Sequence, residues 1–409
     1  MNRSMQLNEE HLMTQIAARE FARTCLPGVI ERDEQQKFPL EQIKELAALG
    51  FMGLMTDMEY GGGGMDTVSY VLAMEEISKV DASVSVCMSV NNSLVCYGLE
   101  KYGNESQKKQ YLVPLASGLK AGNLYIGAFL LSEPEAGSDA TSQRTMAEDN
   151  GDHYLINGTK NWVTNGSSAE VYILFAQTDL SRGSKGITAF IVEKSWPGIT
   201  IGPKENKLGI RGSDTHSISF TDIKVPKENR IGDEGTGFHI AMKSLASGRI
   251  GIASQALGIA AGAYERSVAY SKERKAFGKT IMEHQAIAFK LADMATRIEA
   301  SKLLCLEAAR QKDEGMDYAL SSSVAKLYAS ETAMWVTTEA VQIHGGYGYV
   351  KEYDVERLMR DAKITQIYEG TSEVQRIVIS RQILNGITGE MPLPDNVYRR
   401  RNKSAINLS

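Results

Sequence analysis

The residue of this chain best placed to take a proton is Glu369. Residues 364–377 read Ile-Thr-Gln-Ile-Tyr-Glu-Gly-Thr-Ser-Glu-Val-Gln-Arg-Ile. An apolar, aromatic-flanked stretch thus ends at a carboxylate just ahead of a helix start. Ser372 and Gln375 have capping-box spacing, and the apolar Ile377, Val378 and Ile379 follow. A helix N-terminus favours the carboxylate anion, whereas apolar walls and a bound substrate raise its pKa. A general base working near neutral pH is built from that balance. Taken alone, the same residue could equally be a capping or surface glutamate.

Four further segments stand out. Residues 129–139 read Phe-Leu-Leu-Ser-Glu-Pro-Glu-Ala-Gly-Ser-Asp, a turn after a strand that offers backbone N–H groups and hydroxyls without a base to activate them. Trp162-Val163-Thr164 alone reads as barrel core. Arg274-Lys275-Ala276-Phe277-Gly278-Lys279, with Gln285 beyond it, alone reads as a solvated helix end. In Gln342-Ile343-His344-Gly345-Gly346 the glycines alone read as a helix break. The Gly61–Gly64 run must be a loop, but no Lys-Ser/Thr follows it, so it is a weak phosphate cradle. Each plain reading is adequate singly; the set in this order is not chance.

These segments need elements to hold them. A chain of 409 residues suggests two or three domains, and its 43% hydrophobic and 23% charged fractions are ordinary for a globular protein. From Glu9 to about Leu115 the period is helical, and Val84–Leu99, lacking Lys and Arg, reads as a buried helix. At about Tyr125 it changes to short β-rich runs around 154–156, 171–175, 187–192 and 217–220. Asn157-Gly158 is a hairpin signal there, and the spacing suggests a small barrel or sandwich. After Gly237 helices return at 239–273, 283–312, 318–344 and 371–384, as in a four-helix bundle. The expected organisation is a helical domain (1–124), a β-barrel domain (125–237), a helical bundle (238–388) and a tail (389–409).

The bulk numbers exclude some partners. Net charge is −5, and the one basic cluster, Arg399–Arg401 with Lys403, lies in the tail, so nothing argues for nucleic acid. Four cysteines without metal-ligand spacing fit a reducing compartment, and six scattered histidines form no metal-ligand set. No stretch approaches the ~20 apolar residues of a membrane span, nor is there an N-terminal apolar leader. The expectation is a cytoplasmic protein.

Taken together, the five motifs resemble the acyl-CoA dehydrogenase family, most closely its short-chain (butyryl-CoA) branch, from about Leu7 to Gly386. The resemblance implies the same three-part fold, FAD as cofactor, a tetramer, and conversion of a short acyl-CoA to the trans-2-enoyl-CoA, with electrons passed to an electron-transfer flavoprotein. It fits the absence of a Gly-x-Gly-x-x-Gly strand turn. By the resemblance, Phe129, Leu131, Ser132, Gly137 and Ser138 line the flavin, and Ser138 also meets CoA. Trp162 packs on the flavin face away from substrate, with Val163 and Thr164 beside it. Arg274, Phe277 and Gln285 contact the dinucleotide end, and Gln342, Ile343, His344, Gly345 and Gly346 the pyrophosphate, some of them from a neighbouring subunit. Thr371 and Glu373 touch FAD again. Ala246, Ser247, Gly248, Arg249, Tyr368 and Gly370 border the acyl-CoA, and Glu369 is the base.

Two departures bear on this. Ala246 stands where the short-chain branch has an acidic residue, which puts one CoA contact in doubt. Some branches carry the base just before the arginine of the Gly-Arg helix; here that position is Gly248, which cannot serve. Branched-chain or medium-chain acyl groups are alternatives, with Lys243 and the 84–99 helix as suspects for setting chain length. A glutaryl-CoA enzyme needs a cation between 80 and 100, where Ser85 stands instead. An oxidase needs a further C-terminal domain. A non-catalytic CoA- or flavin-binding homologue would not need Glu369.

Overall fold

The computed structural model describes residues 7–384. The tail (389–409) and its basic cluster lie outside the described residues. The chain opens with eight helices: α1 (Glu9–Cys25), α2 (Val29–Glu34), α3 (Leu40–Ala48), α4 (Thr67–Ser78), α5 (Ala82–Ser89), α6 (Tyr97–Tyr102), α7 (Glu105–Gln107) and α8 (Val113–Ser117). Asn8 caps α1 and Asp66 caps α4, each accepting from a backbone N–H three residues on. Between α5 and α6 the expected buried helix does form, but Val90–Cys96 is wound as a π-helix, a geometry frequent at functional sites.

A two-stranded hairpin, β1 (Leu119–Lys120) and β2 (Asn123–Leu124), leads to an eight-stranded sheet. Its strands are β3 (Gly127–Leu130), β4 (Met146–Asp149), β5 (His153–Thr164), β6 (Val171–Gln177), β7 (Ile187–Glu193), β8 (Ile199–Lys204), β9 (Thr215–Pro226) and β10 (Arg230–Ile231). Pairing runs β10-β7-β6-β4-β5-β9-β8, with β3 parallel to β6. All seven residues of β6 are buried, as a central strand covered on both faces must be. Asn157-Gly158 does not turn the chain: β5 runs straight through, and the pair sits at a register shift against β9. Gly158, at φ +150°, is needed because a Cβ there would lie 2.7 Å from Thr145 Cα.

The last part is built on α9 (Gly237–Glu273), followed by a small hairpin, β11 (Lys275–Ala276) with β12 (Lys279–Thr280), then α10 (Gln285–Asp313) and α11 (Ala319–His344). Every residue of α9 from Ala246 to Ala263 is buried, and most are Ala, Gly or Ser, which lets neighbouring helices approach closely. A helix absent from the sequence-based bundle, α12 (Val355–Thr365), precedes α13 (Ser372–Leu384). Its charges hide its core role. Arg357 is buried between Asp354 and Asp361 (Nη1–Oδ2 2.7 Å to Asp361) and donates to Val80 O at 2.9 Å. Asp361 also accepts from the backbone N of Ile210 at 2.5 Å, and Arg360 reaches Asp33 at 2.8 Å, so α12 is tied to the other two parts of the molecule.

Candidate active site

The segment after α12 is bent by design of its backbone. Glu369 has φ +51° and Gly370 φ +92°, so a non-glycine side chain is held in the left-handed region at a cost of order 1–3 kcal/mol. The surroundings over-determine that turn. Gln375 Nε2 donates to Glu369 O (3.1 Å) and Gly370 O (2.9 Å), and Lys326 Nζ donates to Gly370 O (2.7 Å). Glu331 accepts from Ser372 Oγ (2.7 Å) and Gln366 Nε2 (2.8 Å). Ser372 is therefore not the cap expected from its spacing. Thr371 Oγ1 accepts from Val374 N at 3.2 Å, and Gln375 serves the turn rather than closing a capping box.

The bend aims the Glu369 carboxylate at α9. A Cβ on Gly248 would run into Oε2 and lie 2.8 Å from Cδ and 2.9 Å from Leu94 Cδ2 of the π segment. Positions 248 and 369 thus share one space. Oε2 is buried and has no hydrogen-bond partner. Burial pushes the carboxyl up to about 8, against the opposing pull of Lys326 and Arg249. Arg249 is itself buried, with Nη1 on Ser323 Oγ at 3.2 Å, and desolvation lowers its pKa. Tyr368 donates to Gln255, whose Nε2 donates to Ala82 O (2.9 Å) and Ser85 Oγ (3.0 Å). Tyr70 donates to Ser89 at 3.0 Å. This wall is neutral, and residues 84–96 are all buried without a cation. Lys243 is exposed on α9, outside the wall.

A second group gathers around β3 and β5. Glu133 and Ala136 close a tight turn through reciprocal backbone bonds (3.0 and 3.1 Å). Beneath it, Lys160 of β5 is fully buried and donates to Leu131 O (2.9 Å), Glu133 Oε1 (2.8 Å) and Gln143 Oε1 (2.9 Å). Glu133 also accepts from the backbone N of Arg144 and Thr145 (2.6 and 2.9 Å). The loop is thus rigid where it presents the half-buried Ser132 and the exposed Gly137 and Ser138. Asn161 N donates to Ser132 O at 2.8 Å, which sets Trp162 beside that loop. Trp162 is not sheet core. Its φ of +59° at a register shift of β5 turns the indole outward, 61% exposed, while Val163 is buried and Thr164 is half-buried. Phe129 packs on Phe175 with ring centroids 4.8 Å apart.

A third group lies at the other end of α9. A cavity of about 490 Å³ is lined by Tyr270, Arg274, Ile281, Val350 and the stretch 343–347. Arg274 lies over the Tyr347 ring at 5.4 Å, and His344 stacks on Tyr270 at 4.3 Å. Burial lowers the His344 pKa, so the ring meets the cavity uncharged near neutral pH. Gly345 and Gly346 expose their backbone there. Phe277, at φ +50° on the β11–β12 hairpin, is 96% exposed, and Gln342 and Gln285 are also exposed. Thr371 and Glu373 return to the first group, at the start of α13.

Sequence reasoning did not single out Lys326, Gln255, Tyr70 or Lys160, and it read Gln375 only as part of a capping box. Lysines on otherwise small-residue or apolar faces, Lys326 in Ser-Val-Ala-Lys-Leu and Lys160 in a strand, are the signal that could have found two of them.

Acyl-CoA dehydrogenase family models match in order along the chain: the N-terminal domain over residues 8–119, the middle domain over 128–223 and the C-terminal domain over 235–384. The chain belongs to the acyl-CoA dehydrogenase family. It is 50% identical over 376 residues to the short-chain specific acyl-CoA dehydrogenase of Clostridium acetobutylicum, covering 92% of this chain and 98% of that one. The butyryl-CoA dehydrogenase structure from Megasphaera elsdenii superposes with a TM-score of 0.91 at 48% identity, over 94% of this chain and 100% of that one. A chain in a structure described as the electron transferring flavoprotein of Acidaminococcus fermentans gives 0.91 at 49%, with the same coverage. The protein is an FAD-dependent oxidoreductase with the three-part fold expected from its sequence. Its residues suit the flavin. An outward indole offers a flat apolar wall beside hydroxyl and N–H donors, and Arg274 over exposed glycine backbone suits a pyrophosphate.

Proposed function

We propose that this acyl-CoA dehydrogenase oxidises a short, uncharged acyl-CoA, preferably butyryl-CoA, to the trans-2-enoyl thioester, with Glu369 as base. The observation that carries the reading is the buried, unpartnered Glu369 Oε2 resting on Gly248. Among the described residues, the neighbouring carboxylates are engaged or exposed: Glu331 holds Ser372 and Gln366, and Glu373 lies at the surface.

Glu369 Oε2 accepts the α-proton, and the backbone N–H of Glu369 is the donor assigned to the thioester carbonyl, where charge develops as that proton leaves. FAD, when bound, supplies the acceptor for the β-hydride, so two hydrogens leave and one C=C bond forms. Trp162, Ser132 and Thr164 orient the ring, and Arg249 borders the acyl-CoA. The Tyr368–Gln255–Ser85 hydrogen bonds close the acyl site with polar but neutral groups, which disfavours both a long chain and a second carboxylate. The likeness to a chain from an electron transferring flavoprotein structure supports that protein as electron acceptor. A homotetramer and a cytoplasmic location belong to the same reading; the four cysteines are unpaired thiols.

Anaerobic mixing with butyryl-CoA tests it. The parent bleaches the oxidised flavin band, and Glu369→Gln slows bleaching by roughly the 10⁴-fold upper end of general-base contributions while keeping FAD. Bleaching of the variant at the parent rate ends the assignment. A highest kcat/KM for a long-chain or dicarboxylic acyl-CoA ends the substrate part.

A further inference from the structure

Lys326 lies about two turns into α11 with none of its surface exposed. Among the described residues its one hydrogen-bond partner is the Gly370 carbonyl, at 2.7 Å, and it makes no ion pair. A lysine sealed off without a counter-charge is costly, and such a group persists when it performs a task. We propose that Lys326 is a positioning residue for the base: it pins the strained Glu369–Gly370 turn through the Gly370 carbonyl and sets an unneutralised positive charge beside the Glu369 carboxylate. This rests on the reading of Glu369 as base.

The remaining groups around the two residues leave that charge without a competitor. Facing Glu369 are Arg249 from α9, Tyr70 from α4 and its own neighbour Tyr368, both phenols neutral because burial raises them. Facing Lys326 are Arg249, Glu331 from its own helix and Glu373 from α13. Glu331 spends its oxygens on Ser372 and Gln366, and Glu373 is exposed. Arg249 acts in the same direction as Lys326 on the base, but it is anchored to Ser323 and holds no part of the turn. Among the described residues, Lys326 alone is bonded to the Glu369–Gly370 turn and charged with the sign that favours the anion. Burial drives Glu369 up and Lys326 down, so each limits the other's excursion.

Two substitutions separate the tasks. Lys326→Gln keeps a donor for Gly370 O without the charge; Lys326→Met loses both. Removing the cation destabilises the Glu369 anion, so the acid limb of the kcat/KM profile should move to higher pH in both variants, by about one pH unit or more. On the alkaline plateau Lys326→Gln should stay within a few-fold of the parent, whereas Lys326→Met should lose roughly ten-fold or more because the turn is no longer held. An infrared carboxyl band that disappears in Glu369→Gln gives an activity-free readout, and it should titrate higher in both Lys326 variants. If Lys326→Met does not fold, the band and the limb in Lys326→Gln decide. An unmoved limb and band in an FAD-loaded Lys326→Gln protein overturn the proposal, leaving Lys326 a mere strut. Parent-like flavin reduction by Glu369→Gln would instead overturn the base assignment beneath it.

Discussion

Gly248 and Glu369 compete for one volume, and that fixes what each can be. A side chain at 248 would displace the carboxylate, so only one of the two positions can carry the base. The chosen carboxylate is unstable where it stands. Its folded pKa, about 8, is above its ordinary 4.5, so the protonated form favours folding. That stabilisation is complete below about pH 4.5 and is lost as pH rises towards 8, because the native state then binds more protons than the unfolded one. Glutamine imitates the neutral acid and pays no such penalty. Glu369→Gln should therefore melt close to the parent at about pH 5 and increasingly above it towards about pH 8. Thermal melts of both proteins across that range check this, and a pH-independent difference would contradict it. In the parent, kcat/KM should rise over the same interval, as the base is freed of its proton.

At the scale of elements, what the sequence made legible was what obeys a period. The long helices and the β-rich runs follow 3.6- and 2-residue patterns, and Glu369 stood out because an apolar run met a helix start. The failures came where side chains overrode local rules. Asn157-Gly158 looks like a turn, but β9 pairs on both sides of it and turns it into a bulge. α12 was missed because Arg357 and Asp361, polar in any pattern, are core residues that neutralise one another. Lys160 was invisible for the same reason: its partners come from Leu131, Glu133 and Gln143, brought together only by the sheet. Its role at this scale is testable. Lys160→Met leaves Glu133 buried without its cation and frees the loop that presents Ser132 and Ser138. The cost should be about 3–5 kcal/mol of stability, with weaker FAD retention. Adding Glu133→Gln should recover part of the loss, since the orphaned charge goes too. Melting temperature and flavin content after gel filtration report both effects; a stable, fully yellow Lys160→Met protein would show that the network does not hold the loop.

For the whole molecule, α9 itself argues for assembly. Gly248 marks the base and Arg274 the far cavity, and the 26 residue steps from one to the other span roughly 39 Å of helix at 1.5 Å each. The Trp162 loop and the glycine backbone beside Arg274 both suit one cofactor, yet they are carried by different parts of the chain. The geometry is resolved if each subunit's Arg274 cavity serves a flavin seated mainly on a neighbour, as in a two-fold pair where each site takes one half from each chain. The exposed Phe277 (96%) on the β11–β12 hairpin then gains a surface to cover it. Complementation follows from the symmetry. Glu369→Gln has no base but an intact Arg274 end; Arg274→Glu has a base but repels the pyrophosphate. In a mixed pair, one site receives both lesions and the other receives neither. Co-expressed in equal amounts and purified together, two nearly inactive variants should regain roughly a quarter of parent activity, since half the pairs are mixed and half their sites intact. If the two functions resided in one chain's own site, mixing could restore nothing. Activity of the co-purified protein no greater than the mean of the separate variants would therefore assign the Arg274 cavity to some other ligand, and the expectation that a flavin site spans two subunits would have to be abandoned.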